Sequence, residues 1–128
     1  MYKIEKREEY ILVRFTEDFD FNVVQTVIHH VTSIREFPYT NDLWLIGKHR
    51  ANIRLGELET MVREFHCHCP TEATRTKTAV VVEHGLTEAI IDLWMSAARK
   101  KVSFDMQIFD SFEAALRWLG VEQVETTA

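Results

Sequence analysis

Alternating apolar and polar residues at the start of the chain predict a β-hairpin, with strands over 2–6 and 10–15. In the next segment, residues 20–37, the apolar residues recur every three or four positions, which is typical of one buried helix face. Either Asp18 or Asp20 can cap this helix, and the proline that follows ends it.

Three further strands are predicted from short apolar runs. Leu43–Gly47 and Lys77–Glu83 are nearly continuous apolar segments bounded by polar residues, so we expect both strands to be covered on two faces and central in a sheet. Ser103–Phe109 alternates apolar with polar residues, which favours an edge strand with one wetter face.

Three helices separate or follow these strands. Apolar residues at helical spacing predict a helix from about Leu55 to Phe65. They predict another from Leu86, and Gly85 marks the turn before it. Its buried face is expected to consist of Leu86, Ala89, Ile90, Leu93, Trp94 and Ala97. Asp110 and Glu113 resemble a capping box that opens a last helix, with Gly120 at its end.

This order of elements predicts an α/β fold. A hairpin followed by three strand–helix–strand crossovers builds a mixed, mainly parallel sheet of about five strands with about four helices. We expect a single domain over residues 1–120 and a flexible tail over 121–128.

Composition narrows the class of protein without naming a reaction. The 128 residues carry 15 Lys and Arg against 20 Asp and Glu, a net charge of −5 that disfavours binding to nucleic acid. No apolar run approaches the roughly 20 residues of a membrane helix, and the first residues do not resemble a signal peptide. A cytoplasmic protein without a disulfide framework or a cofactor is therefore expected.

The run Val102–Gly120 contains Phe109-Asp110-Ser111 followed by Glu113-Ala114 and Trp118-Leu119. This run resembles the closing strand and helix of the bacterial STAS-like proteins. Lys77–Val82 is similar to their penultimate strand, and Leu43–Gly47 stands where their central strand would be. The resemblance implies the fold of sulfate-transporter cytoplasmic domains, anti-sigma-factor antagonists and CRAL-TRIO-like proteins, which share no catalytic residue set.

The sequence departs from that pattern after the predicted central strand. The resemblance implies an Asp-Ser phosphorylation site there, whereas residues 47–54 contain neither serine nor threonine. Instead, this segment is basic and leads from a strand end into a helix start, where free N–H groups attract anions. His84 follows the neighbouring strand. The candidate ligand-binding residues are therefore Lys48, His49, Arg50, Asn52, Arg54 and His84; the alternative is a solvated loop.

A second conspicuous cluster is His66-Cys67-His68-Cys69, whose side chains are of the types that bind zinc or copper. Adjacent ligands point in too many directions to satisfy one tetrahedral ion. We therefore predict a polar loop after the helix and no bound metal.

No catalytic motif is recognisable, so the sequence predicts a protein that is not an enzyme. We expect a regulatory module that contacts another protein or a second copy of itself. The alternative is a binder or sensor of a small apolar or anionic, lipid-like ligand. Its pocket would have Trp44, Trp94, Met95 and Met106 as walls.

Overall fold

The chain folds into a layered α/β structure, seen in a computed structural model that describes residues 1–68, 76–83, 85–98 and 105–121. The strands are β1 (Tyr2–Lys6), β2 (Tyr10–Phe15), β3 (Phe19–Asp20), β4 (Asn41–Gly47), β5 (Ala51–Asn52), β6 (Lys77–Val82) and β7 (Asp105–Phe109). The helices are α1 (Phe21–Thr32), α2 (Leu55–His68), α3 (Leu86–Ala98) and α4 (Phe112–Leu119), and a 3-10 turn spans Phe37–Tyr39.

Five strands form the main sheet in the order β1-β2-β4-β6-β7. β1 is antiparallel to β2, and the other neighbours are parallel. The predicted mixed, mainly parallel sheet with four helices is therefore confirmed. β4 and β6 are internal strands, as their continuous apolar sequences predict. β3 and β5, which the sequence did not predict, pair as a separate two-residue parallel ladder.

The sheet is covered on both faces. Residues of α1, α2 and α3 pack on one face around Val13, Trp44 and Val80, while α4 packs on the other face against Leu12, Leu43 and Val81. This two-sided cover explains why the middle strands are continuously apolar over Leu43–Ile46 and Ala79–Val82. The predicted walls of an apolar pocket are part of the core between the sheet and helices α1, α2 and α3. These residues, each at most 4% exposed, are Trp44, Trp94, Met95 and Met106.

Helix α1 ends at Thr32, five residues before the predicted end. The Thr32 hydroxyl donates to the Ile28 carbonyl (2.6 Å) and the Ser33 hydroxyl donates to the His30 carbonyl (2.7 Å). Such side chains compete with the main chain for the last carbonyls, which favours termination. At the other end, Asp20 is the cap and accepts a hydrogen bond from the Val23 N–H (3.1 Å).

The start of α4 corrects one expectation, and its end agrees with the predicted Gly120. Ser111, rather than Asp110, caps the helix, because its hydroxyl accepts the Ala114 N–H at 3.1 Å. Gly120 has φ of 82°, and the Val121 N–H donates to the Leu116 carbonyl at 3.0 Å, as in a Schellman motif. Val121 thus takes part in the end of the helix, and the rest of the predicted tail, residues 122–128, lies outside the described part.

The predicted loop at residues 66–69 is wrong for residues 66–68, which form the last turn of α2. A proline at position 70 disfavours helical geometry chiefly in the residue directly before it, so it does not prevent residues 66–68 from continuing the helix. His66 and Cys67 are exposed. Consecutive helical positions point about 100° apart, so these two side chains diverge. Cys69 lies outside the described residues, and among those described no group of three His, Cys, Asp or Glu side chains is placed to hold a metal.

Candidate functional site

The carboxyl ends of β4 and β6 lie side by side and open onto one edge of the sheet. Gly47 pairs with Val82, and the Glu83 N–H donates to the Gly47 carbonyl at 2.9 Å. Gly47 has φ of +64°, a left-handed conformation that lets the chain turn out of the sheet at this point. Parallel strands followed by helices leave a crevice at such an edge.

The loop after β4 is held in place by short contacts to the segment before α1. The Arg50 N–H donates to Asp18 Oδ1 at 2.8 Å, and the Arg50 carbonyl accepts the Phe19 N–H at 2.9 Å. The ladder between β3 and β5 continues these contacts. The loop therefore has a defined backbone course, which fixes where its side chains begin.

This loop and the start of α3 enclose an open cleft of about 380 Å³. The Ala51 N–H donates to Thr87 Oγ1 at 3.3 Å and so connects its two sides. The lining residues are Gly47, Lys48, His49, Arg50, Ala51, Asn52, Glu83, Leu86 and Thr87.

Charges of both signs line this cleft. Lys48 and Arg50 are exposed cations, and Glu83 is an exposed carboxylate. His49 is partly buried, with its Nδ1 3.8 Å from Asp18 Oδ1. The cleft thus offers charge and hydrogen-bonding groups for both acidic and basic partners.

Four of the predicted ligand-binding residues, Lys48, His49, Arg50 and Asn52, therefore come together at one cleft. Arg54 lies further along, at the start of α2, where its N–H donates to Glu57 Oε1 at 2.9 Å and its carbonyl accepts the Glu57 N–H. The Glu57 carboxylate thus occupies one of the N–H groups at the start of α2 that were expected to bind an anion. His84 falls outside the described residues.

Sequence reasoning missed the other side of the cleft. Glu83 was assigned only to the end of a strand, and Leu86 was expected in the core, but Leu86 is 78% exposed. Its position three residues after the predicted end of that strand was the signal that could have placed it at the crevice.

An apolar stripe continues from the cleft along α3. Leu86, Ala89, Leu93 and Ala97 are all exposed, and Leu93 is 52% exposed. They correct the predicted buried face in part. Trp94 is buried and Ile90 is partly buried, as predicted, but Ile91 and Met95 face the sheet in place of the four exposed residues. Spacings of three, four and four residues place the four exposed positions on one side of the helix.

A buried carboxyl lies at the opposite end of β4, away from the cleft. Asp42 is 1% exposed, and its oxygens accept the Trp44 indole N–H (2.7 Å) and the Thr78 hydroxyl (2.8 Å). Burial raises the pKa of Asp42 to about 7, although both hydrogen bonds act in the opposite direction. This group contributes to the core and does not line the cleft.

Comparison with known proteins supports the fold. No family model and no curated protein matches the chain. Among solved structures, an uncharacterised protein from Shewanella loihica PV-4, assigned to the DUF3478 family and described as having a SpoIIAA-like fold, is similar to it. The two share 13% sequence identity with a TM-score of 0.54, over 93% of this chain and 92% of that one. The chain therefore has a SpoIIAA-like fold, which is the STAS-like fold.

No helix in the described part of the chain is long and apolar enough to cross a membrane.

Proposed function

We propose that this chain is a non-enzymatic, STAS-like protein-interaction module that binds its partner through the cleft and the apolar stripe of α3. The observation that carries this proposal is the continuity of the two features. Leu86 belongs to both, so a partner that follows the stripe reaches Lys48, Arg50 and Glu83 at its end.

The surface has the composition of a protein contact. Leu86 and Leu93 supply apolar area at its centre, and the charged cleft supplies a polar rim. A single exposed leucine is ordinary on a protein surface, whereas two on one helix face beside a charged cleft form a patch.

The expected partner is a protein segment with a row of apolar side chains. An acidic group at one end would meet Lys48 and Arg50. Basic groups along the segment would meet Glu88 and Asp92, which line a shallow depression beside Ala89 on α3. Charge complementarity of this kind favours one orientation of the bound segment.

Two double variants test the proposal. Leu86→Ser with Leu93→Ser removes the apolar centre, and Lys48→Ala with Arg50→Ala removes the cations. Tyr39→Ser is the matched control, because Tyr39 is 75% exposed outside this surface. Affinity capture from cell extract with quantitative mass spectrometry identifies proteins that the wild type and the control retain, and calorimetry with the purified partner then measures affinity.

Both double variants should weaken partner binding at least about tenfold while remaining folded by circular dichroism. Unchanged affinity in both folded variants would contradict the proposal. So would native mass spectrometry that finds the purified chain carrying a small anion whose retention depends on Lys48 and Arg50. That result would support the alternative, a ligand-binding protein.

A further inference from the structure

The outer edge of β1 carries a self-complementary hydrogen-bonding pattern, and no other strand in the described part of the chain pairs with it. In an antiparallel pair, alternate residues direct their N–H and C=O groups towards the neighbouring strand. The Arg7 N–H donates to the Tyr10 carbonyl and the Thr16 N–H donates to the Met1 carbonyl, so the odd-numbered residues of this strand bond to β2. Tyr2, Ile4 and Lys6 therefore direct their main-chain groups away from the sheet.

We infer that this edge pairs with β1 of a second copy of the chain, antiparallel and centred on Ile4. In that register Ile4 faces Ile4, and Tyr2 faces Lys6 on both sides of the two-fold axis. All three residues with outward main-chain groups then form hydrogen-bonded pairs, which joins the two five-stranded sheets into one continuous sheet of ten strands.

The side chains of β1 match in the same register. Lys3 stands opposite Glu5 of the other copy, twice per dimer, in the closely spaced non-hydrogen-bonded pairs. Glu5 already accepts a hydrogen bond from Arg7 at 2.7 Å and lies 3.5 Å from Arg14, so Lys3 of the second copy would extend this charge network. Lysines on an edge strand discourage pairing with arbitrary strands, whereas this register gives each lysine a favourable neighbour.

A cleft beside the strand can receive the second copy. It has a volume of about 390 Å³ and is lined by Ile4, Lys6, His30, Ile34, Arg35 and Glu36. Tyr2 of the second copy would stand beside Lys6 on this face of the sheet, where its ring can contact the ammonium group and the cleft wall. The paired strands would thus be supported by side-chain burial as well as by the main chain.

Charge complementation tests both the surface and its register. Lys3→Glu alone places two carboxylates opposite each other across the dimer, and Glu5→Lys alone places two ammonium groups opposite each other. Each variant should therefore dimerise at least about tenfold more weakly than the wild type. Mixing the two variants restores two opposite-charge pairs in a heterodimer.

Sedimentation equilibrium over a concentration series measures dimerisation of the wild type, of each variant and of the mixture, and circular dichroism checks folding. Arg63→Glu and Glu9→Lys, both at exposed positions outside β1, control for the charge changes.

Disulfide trapping supplies a second readout. In a background with both native cysteines changed to serine, Ile4→Cys should form a covalent dimer on mild oxidation, since paired Cα atoms lie about 5.5 Å apart. Lys3→Cys is the control, because Lys3 of one copy lies diagonally across from Lys3 of the other and is further from it than a directly opposite residue would be. A wild type that stays monomeric up to roughly millimolar concentration would overturn the inference. So would dimers that are indifferent to both charge reversals, or equal trapping at the two positions.

Discussion

Ionisation of Asp42 should make the protein less stable as the pH rises. The pKa of this carboxyl is raised from 3.8 to about 7 in the folded chain by burial. Between these values the folded state holds a proton that the unfolded state has released, so the free energy of unfolding falls with increasing pH. At about 1.4 kcal/mol per pH unit, ionisation of Asp42 lowers the free energy of unfolding by about 4 kcal/mol in total. This loss is absent below about pH 4 and complete above about pH 7.

Asp42→Asn removes this titration while keeping the shape of the side chain. The amide oxygen can accept the Trp44 N–H, and the Thr78 hydroxyl can rotate to accept from the amide nitrogen. We expect the variant to match the wild type within about 1 kcal/mol at acid pH. It should exceed the wild type by up to about 4 kcal/mol at mildly alkaline pH.

Urea unfolding followed by tryptophan fluorescence, repeated across this pH range, measures the difference between the two proteins. Asp105→Asn makes the same chemical change at an exposed position of β7 and controls for the loss of one negative charge. A difference between wild type and Asp42→Asn that is independent of pH, or that grows towards acid pH, would refute the reasoning.

Four further outcomes follow from the local geometry. Gly47→Ala should lower the free energy of unfolding by about 1 kcal/mol, because φ is +64° at this position. Gly56→Ala should raise it by about 0.5 kcal/mol, because the added methyl group on α2 meets open space. Urea unfolding measures both changes, and the reverse signs would contradict them. Ser111→Ala should cost about 1 kcal/mol by the same assay, and no loss would mean that this hydroxyl does not cap α4. Elemental analysis should find no stoichiometric metal, and one zinc per chain that disappears when both cysteines are changed to alanine would show that the 66–69 cluster binds it.

The sequence was most informative for segments that are apolar throughout, because such a segment must be buried on both faces. Leu43–Ile46 and Val80–Val82 have no polar position that could face water, so their placement inside the sheet could be predicted. The fold class followed from the order of these strands and the helices between them. The loop of Lys48 and Arg50 directly follows the predicted strand Leu43–Gly47, so it could be assigned to the end of that strand.

The buried face of α3 was predicted only in part: Trp94 is buried as expected, but apolar residues occupy most of the other positions of this helix as well. Leu86 and Leu93 are as apolar as Ile91 and Met95, and only packing against the sheet distinguishes them. Burial of Asp42 was also hidden, since a carboxylate at the start of a strand ordinarily faces water. The short strands β3 and β5 are two residues each, too short for any periodicity to reveal.

The proposed interaction surface is tested most directly by amide hydrogen exchange of the chain with and without its captured partner. We predict slower exchange in the partner's presence over Gly47–Asn52 and along α3, with the β1–β2 hairpin unchanged. Protection confined to that hairpin, or to the end of α2 around His66 and Cys67, would contradict the proposal that the cleft and the α3 stripe bind the partner.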